Sequence, residues 1–147
     1  MEQHFLDDFR NTLTTAEQKL LALSEAQSET PREPGKWSPK EIIGHLIDSA
    51  SNNHQRFVRG QLENSLFLLG YEQEKWVRVQ NYKSEEWKFL VTFWKAYNTH
   101  LLHVIAGIPA EVLKYEHALQ GKEVTLEFVV KDYLEHLKHH LNQIVTL

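Results

Sequence analysis

Not one of the chain's 147 residues is a cysteine. That excludes disulfide staples, thiolate metal ligands and a cysteine nucleophile, and it confines any bound metal to nitrogen and oxygen donors. Basic charge is also in short supply, with 16 Lys plus Arg against 20 Asp plus Glu and a formal net charge of -4. A surface of that sign has no general grip on a phosphate backbone, so nucleic acid is not an expected partner. Long apolar runs are missing as well. Residues Met1 to Arg10 carry Glu2, Asp7 and Asp8, so neither a signal peptide nor a transmembrane span is expected, no membrane partner is expected, and the cytoplasm is the default location. What remains is aromatic and aliphatic mass: four Trp, seven Phe and five Tyr, in a chain that is 41% hydrophobic. That is enough for a real core, and residues 1–147 are expected to form a single domain.

The hydrophobic pattern is helical. From Glu2 to about Leu23, the residues Phe5, Leu6, Phe9, Leu13, Ala16 and Leu20 recur at three- and four-residue steps, one buried stripe of an amphipathic helix. Between Ser24 and Lys36, Pro31, Pro34 and Gly35 replace the apolar residues and predict a turn. Ser38-Pro39-Lys40-Glu41 then reads as a capping box with proline at the first helical position, opening a second helix that runs to Gly60 or Leu62. Glu63 to Lys83 has no sustained period and predicts a long loop, with room for a short helical piece. A third helix is expected from Ser84-Glu85-Glu86 to Ile105, ended by Gly107 and Pro109. Tyr115 to Val124, centred on Gln120-Gly121, reads as a tight excursion or rudimentary hairpin, after which Thr125 caps a last helix running to the C-terminus. The expected fold is all-α, a four-helix bundle with a long loop between helices two and three.

Nine histidines carry the most informative chemistry. His136 and His140 are four apart, so at about 100° per residue they lie within about 40° of each other and can chelate together. They share their side of the helix with Val129, Tyr133 and Leu137, whereas His139 falls at the edge of the stripe and is left out of the ligand set. In helix two, His45 shares an arc with Asp48, Asn52 and Arg56, an unusually polar face for a helix that should look into a bundle. A metal with its waters satisfies such a face. A core histidine bonded to a neighbouring carbonyl or carboxylate is the other reading of His45.

The run Gly35-Lys36-Trp37-Ser38-Pro39-Lys40-Glu41-Ile42-Ile43-Gly44-His45-Leu46-Ile47-Asp48-Ser49, together with His136-Leu137-Lys138-His139-His140, resembles the DinB/YfiT-like superfamily of bacterial metal-binding four-helix bundles. The YfiT branch is the nearest, because Tyr71-Glu72-Gln73-Glu74-Lys75-Trp76 followed by Asn81-Tyr82 resembles its loop between helices two and three. The resemblance implies one divalent ion held by His45, His136 and His140, with solvent completing the coordination. It also implies membership in a group that includes thiol-dependent S-transferases and an isomerase, alongside many proteins of no assigned activity. A homodimer is expected by kinship only.

Three neutral imidazoles leave an open position on an ion, the arrangement of catalytic rather than structural sites. Zinc, nickel, iron and manganese all suit three nitrogens plus water. The expected activity is group transfer to or from a small thiol, with a low-molecular-weight thiol as co-substrate and a small molecule as substrate; hydrolysis by activated water, or a metal-binding bundle without turnover, are the alternatives. Asp48, Asn52 and Asp132 are candidates to orient the ligands, or else face solvent. Tyr71, Gln73, Trp76 and Tyr82 line the pocket mouth, or Trp76 and Tyr82 plug the bundle. Arg56 binds a carboxylate of a thiol cofactor or forms a salt bridge to a loop acid.

Overall fold

Ser38 and Pro39 open the longest helix of the protein, and they do so as the capping box predicts. In the computed structural model, which describes residues 1–147, the Ser38 amide donates to Glu41 Oε2 at 2.9 Å while the Glu41 amide donates to Ser38 Oγ at 3.4 Å. The element order is α1 (Gln3–Leu21), α2 (Glu25–Glu29), α3 (Pro39–Leu62), β1 (Phe67–Leu68), α4 (Gln73–Gln80), α5 (Trp87–Ala106), β2 (Glu116–Leu119), β3 (Lys122–Thr125) and α6 (Leu126–Leu141). The four long helices form the bundle. Helices α1 and α3 each pack on both α5 and α6, so the cyclic order is α1-α5-α3-α6 and α1 faces α3 across the diagonal. No helix is long and apolar enough to cross a membrane.

The stripe residues meet where the pattern puts them. Phe9, Leu13, Leu46, Phe57, Trp94 and Leu126 are among the fully buried side chains at the centre. Each such side chain contributes roughly 1.5–3 kcal/mol by leaving water. Two polar groups in this core are paired with each other and with the backbone: Tyr133 donates to Asn98 Oδ1 at 2.6 Å, and Asn98 donates to the Trp94 carbonyl at 2.9 Å.

Four expectations are corrected. The chain is predominantly helical but not all-α, because β1 pairs in parallel with β2 and β2 pairs antiparallel with β3. Asn64 builds the junction by accepting the Ser65 and Glu116 amides on one side-chain oxygen, at 3.0 and 2.9 Å. The Gln120-Gly121 turn does close a hairpin, with both residues at positive φ (49° and 78°), the backbone of a primed two-residue turn. Second, the stretch expected to turn after α1 contains α2, whose own capping box is Ser24 with Gln27. Buried Lys40 on α3 pairs with Glu25 and Glu29 and ties this short helix down. Third, the segment from Glu63 to Lys83 does hold the short helical piece expected in its long loop, α4, but adds β1 and the start of a 3-10 turn at Tyr82–Ser84. That turn takes Ser84, so α5 begins at Trp87; Asn81, in the left-handed region at φ 52°, ends α4, and its side-chain amide donates to Ser84 Oγ while that hydroxyl donates to the Asn81 carbonyl. Finally, α6 stops at Leu141, short of the C-terminus.

Candidate metal centre

Three imidazoles converge between α3 and α6. His45 is fully buried, and its ring centre stands 5.1 Å from that of His136 and 4.5 Å from that of His140. The His136 and His140 rings, one helical turn apart, are 4.5 Å from each other. One nitrogen of each ring lies within 4.8 Å of the other two, and His45 Nε2 faces His136 Nε2 at 3.2 Å. Two nitrogens bound to one ion at about 2.0–2.1 Å stand roughly 3–3.5 Å apart. The spacing therefore fits a shared cation. A core histidine would instead use a carbonyl or carboxylate, and His45 has none: its Nδ1 is buried without any partner.

Electrostatics keep these rings neutral, as ligation requires. Burial, then the neighbouring His140 and His136, pushes His45 down from the ordinary 6.5 to about 3. Burial with His140 and His139 pushes His136 down to about 4, and burial lowers His140 too. In the metal-free protein the unfolded chain therefore takes up protons below about pH 6.5 that the folded site refuses. This contribution to stability is complete above that pH and is lost as the pH falls toward the depressed values. Between about pH 5 and 6.5, where most carboxylates are ionised in both states, chelator-treated protein should lose melting temperature more steeply than its His45→Gln variant. Parallel slopes would show that His45 is protonated in the fold.

Two supporting residues escaped the sequence. Gln143 sits three residues after His140 and receives its Nδ1–H on Oε1 at 2.9 Å, which turns Nε2 toward the other rings. Trp37, the residue before the helix cap, packs on His45 with ring centres 5.1 Å apart and on His140 at 6.5 Å. An apolar residue at that position is a staple signal, and nothing in the spacing ties it to histidine.

The triad opens on two sides. His140, Gln143 and Trp37 border a cleft of about 630 Å³ that reaches Arg32 and Ile42. His136 borders a smaller polar cavity of about 190 Å³ with Ser49, Arg56, Tyr71 and Asp132. Gln73, at the start of α4, lines both.

Of the other residues singled out, Arg56, Tyr71, Gln73 and Asp132 thus reach the site. Arg56 does not make the expected salt bridge to a loop acid; it donates to the Leu69 carbonyl at 2.7 Å and to Asn53 at 3.3 Å. Asn52 turns back on its own helix, donating to the Asp48 carbonyl at 2.9 Å, and borders neither opening. Asp48 is buried beside the triad arc, where its Oδ1 accepts from Tyr82 at 2.6 Å and from Gln80 at 2.7 Å. Burial pushes its carboxyl up. Tyr82 is the plug, buried against Gly44, whereas Trp76 is half-exposed with its ring edge-on to Tyr71 at 5.2 Å.

Comparison with known proteins agrees with this geometry. The sequence profile of the DinB superfamily matches residues 8–144. The chain belongs to that superfamily. Among its relatives, a Bacillus mycoides (strain KBAB4) protein bearing the name "Putative metal-dependent hydrolase" is 25% identical over 142 residues, covering 97% of this chain and 80% of that protein. A Bacillus cereus (strain ATCC 10987 / NRS 248) protein of the same name is 26% identical over 144 residues, with the same coverage. The solved structure of YfiT from Bacillus subtilis, described as a probable metal-dependent hydrolase with an unusual four-helix bundle topology, superposes with a TM-score of 0.83. It covers 98% of this chain and 86% of its own at 19% identity, which establishes the shared fold.

Proposed function

We propose that His45, His136 and His140 hold one divalent ion and that the protein is a metal-dependent enzyme transferring a group to or from a small thiol. The observation that carries this reading is the pair of openings: separate cavities on the His140 and His136 sides suit two organic reactants, whereas hydrolysis needs room for one reactant and water. When bound, the ion supplies Lewis acidity that lowers the pKa of a thiol or water brought to it. The chain's own residues do the rest. Gln143 fixes the orientation of His140, Trp37 walls the rings from solvent, and Tyr71 faces the smaller cavity as a donor rather than a base, since burial pushes its hydroxyl up to about 12.

Hydrolysis by activated water is the second reading, favoured by the names of the Bacillus relatives. Turnover of monobromobimane by metal-loaded protein, with and without a small thiol at equal metal occupancy, separates the two. In transfer, sulfur bonds to the bimane carbon as bromide leaves and the thiol proton passes to solvent. Turnover above the uncatalysed rate that requires thiol is the expected result; cleavage of a nitrophenyl ester that proceeds without thiol, and is suppressed by it, would establish hydrolysis instead.

A further inference from the structure

Arg56 stands in the smaller cavity as a cation in no ion pair: the carboxylate of Asp132, on the same rim, acts on it only from beyond ion-pair distance. None of the chain's ion pairs includes it. Its guanidinium has five N–H donors. Only two of its protein acceptors are in place, the Leu69 carbonyl and Asn53, and its buried Nε has none. Both acceptors are neutral. They hold the fork in position without cancelling its charge, and the planar fork that remains is shaped for a carboxylate.

Its distance from the triad sets the size of what it meets. Arg56 follows His45 by eleven residues on α3, about 16 Å of helix rise, and its long side chain leans back toward the helix N-terminus. The gap left between guanidinium and imidazoles is on the order of 10 Å, and Ser49, Asn53 and Tyr71 line the cavity along it. Asp132, exposed on the same rim, disfavours a doubly charged group such as phosphate more than it does a single carboxylate.

We propose that the smaller cavity is the thiol subsite and that Arg56 anchors a carboxylate on the thiol co-substrate, separated from its sulfur by roughly the length of a dipeptide. This rests on the thiol-transfer reading above and names the substrate class that it left open. Short thiols reach the ion but not Arg56; long thiols with a free carboxylate reach both.

The test uses cobalt(II)-loaded protein and reads the sulfur-to-cobalt absorption band, with no turnover involved. Glutathione, a thiol with carboxylates at the required reach, should bind about tenfold or more tightly than glutathione diethyl ester, in which both carboxylates are masked. In Arg56→Gln that ratio should collapse toward one, while mercaptoethanol binds wild type and variant alike and so certifies an intact site. Arg56→Lys, which keeps the charge and loses the fork, should fall between. Equal affinities in the wild type, or a ratio that survives Arg56→Gln, overturns the assignment. So does stronger competition against glutathione by inorganic phosphate than by succinate. If no thiol produces the band, the thiol reading itself fails. Arg56 is then judged by its side-chain Nε–H signal in proton–nitrogen correlation spectra: a shift on adding succinate upholds a carboxylate site, and an unmoved signal removes it.

Discussion

Alanine at His45, His136 or His140 should each abolish metal retention through purification, while alanine at His139, His54 or His100 should leave it near the wild-type stoichiometry. The asymmetry comes from geometry. The three rings bring one nitrogen apiece within 4.8 Å of one another, and removing any one leaves only two nitrogens, too few to retain an ion through purification. His139 is exposed; its ring lies 5.1 Å from that of His140, yet its Nε2 is engaged with Gln143 at 3.4 Å. His54 sits elsewhere, against Tyr97 and His100. Gln143→Ala should fall between the two groups, lowering affinity roughly 10- to 100-fold, because it frees the His140 ring without removing a donor. Elemental analysis of each purified variant, followed by a competition titration, gives the ranking. Equal loss at His139 would mean that α6 presents a different face from the one described.

Much of this site could be read from residue spacing. His136 and His140 sit on one face because four residues make one helical turn, and the polar arc of His45, Asp48 and Arg56 stood out because bundle interiors are otherwise apolar. Helix caps were legible at Ser38 and Thr125 for the same local reason, as both put a hydroxyl where free amides need an acceptor. What spacing does not carry is any contact between distant segments. The parallel pairing of Phe67–Leu68 with Ala118–Leu119 joins residues about fifty positions apart and leaves no period in either stretch. The Gln73–Gln80 helix is only eight residues long, with no side-chain cap at Glu72, so neither periodicity nor a start signal announces it. Arg56 was undecided for a related reason, since its salt bridge depended on where the loop acids would fall. They fell elsewhere, and Arg56 bonds the Leu69 carbonyl and Asn53 instead.

Replacing Gly44 by alanine should disrupt the wall behind the metal centre more than any other single-methyl change in α3. A Cβ built at this glycine would stand 2.1 Å from Tyr82 Cδ2 and 2.3 Å from its Cγ, far inside van der Waals contact. Helical φ and ψ suit alanine well, so propensity alone predicts a gain of about 1 kcal/mol. The steric term opposes it. The Tyr82 ring is buried by the helix, and its hydroxyl holds Asp48 at 2.6 Å, so moving the ring also strips a buried carboxylate of one of its two donors. Overpacking of this kind costs roughly 1–3 kcal/mol, and a buried acceptor left short of a donor a further 1–3 kcal/mol. The net expectation is a loss of about 1–5 kcal/mol in denaturant titration, together with weakened metal binding, because His45 is the next residue on the same turn. A double-mutant cycle isolates the cause. Tyr82→Ala removes the ring, so in that background Gly44→Ala should cost nothing or stabilise the protein by its helical propensity. Additive losses in the double variant would show that the ring is not what Gly44 makes room for.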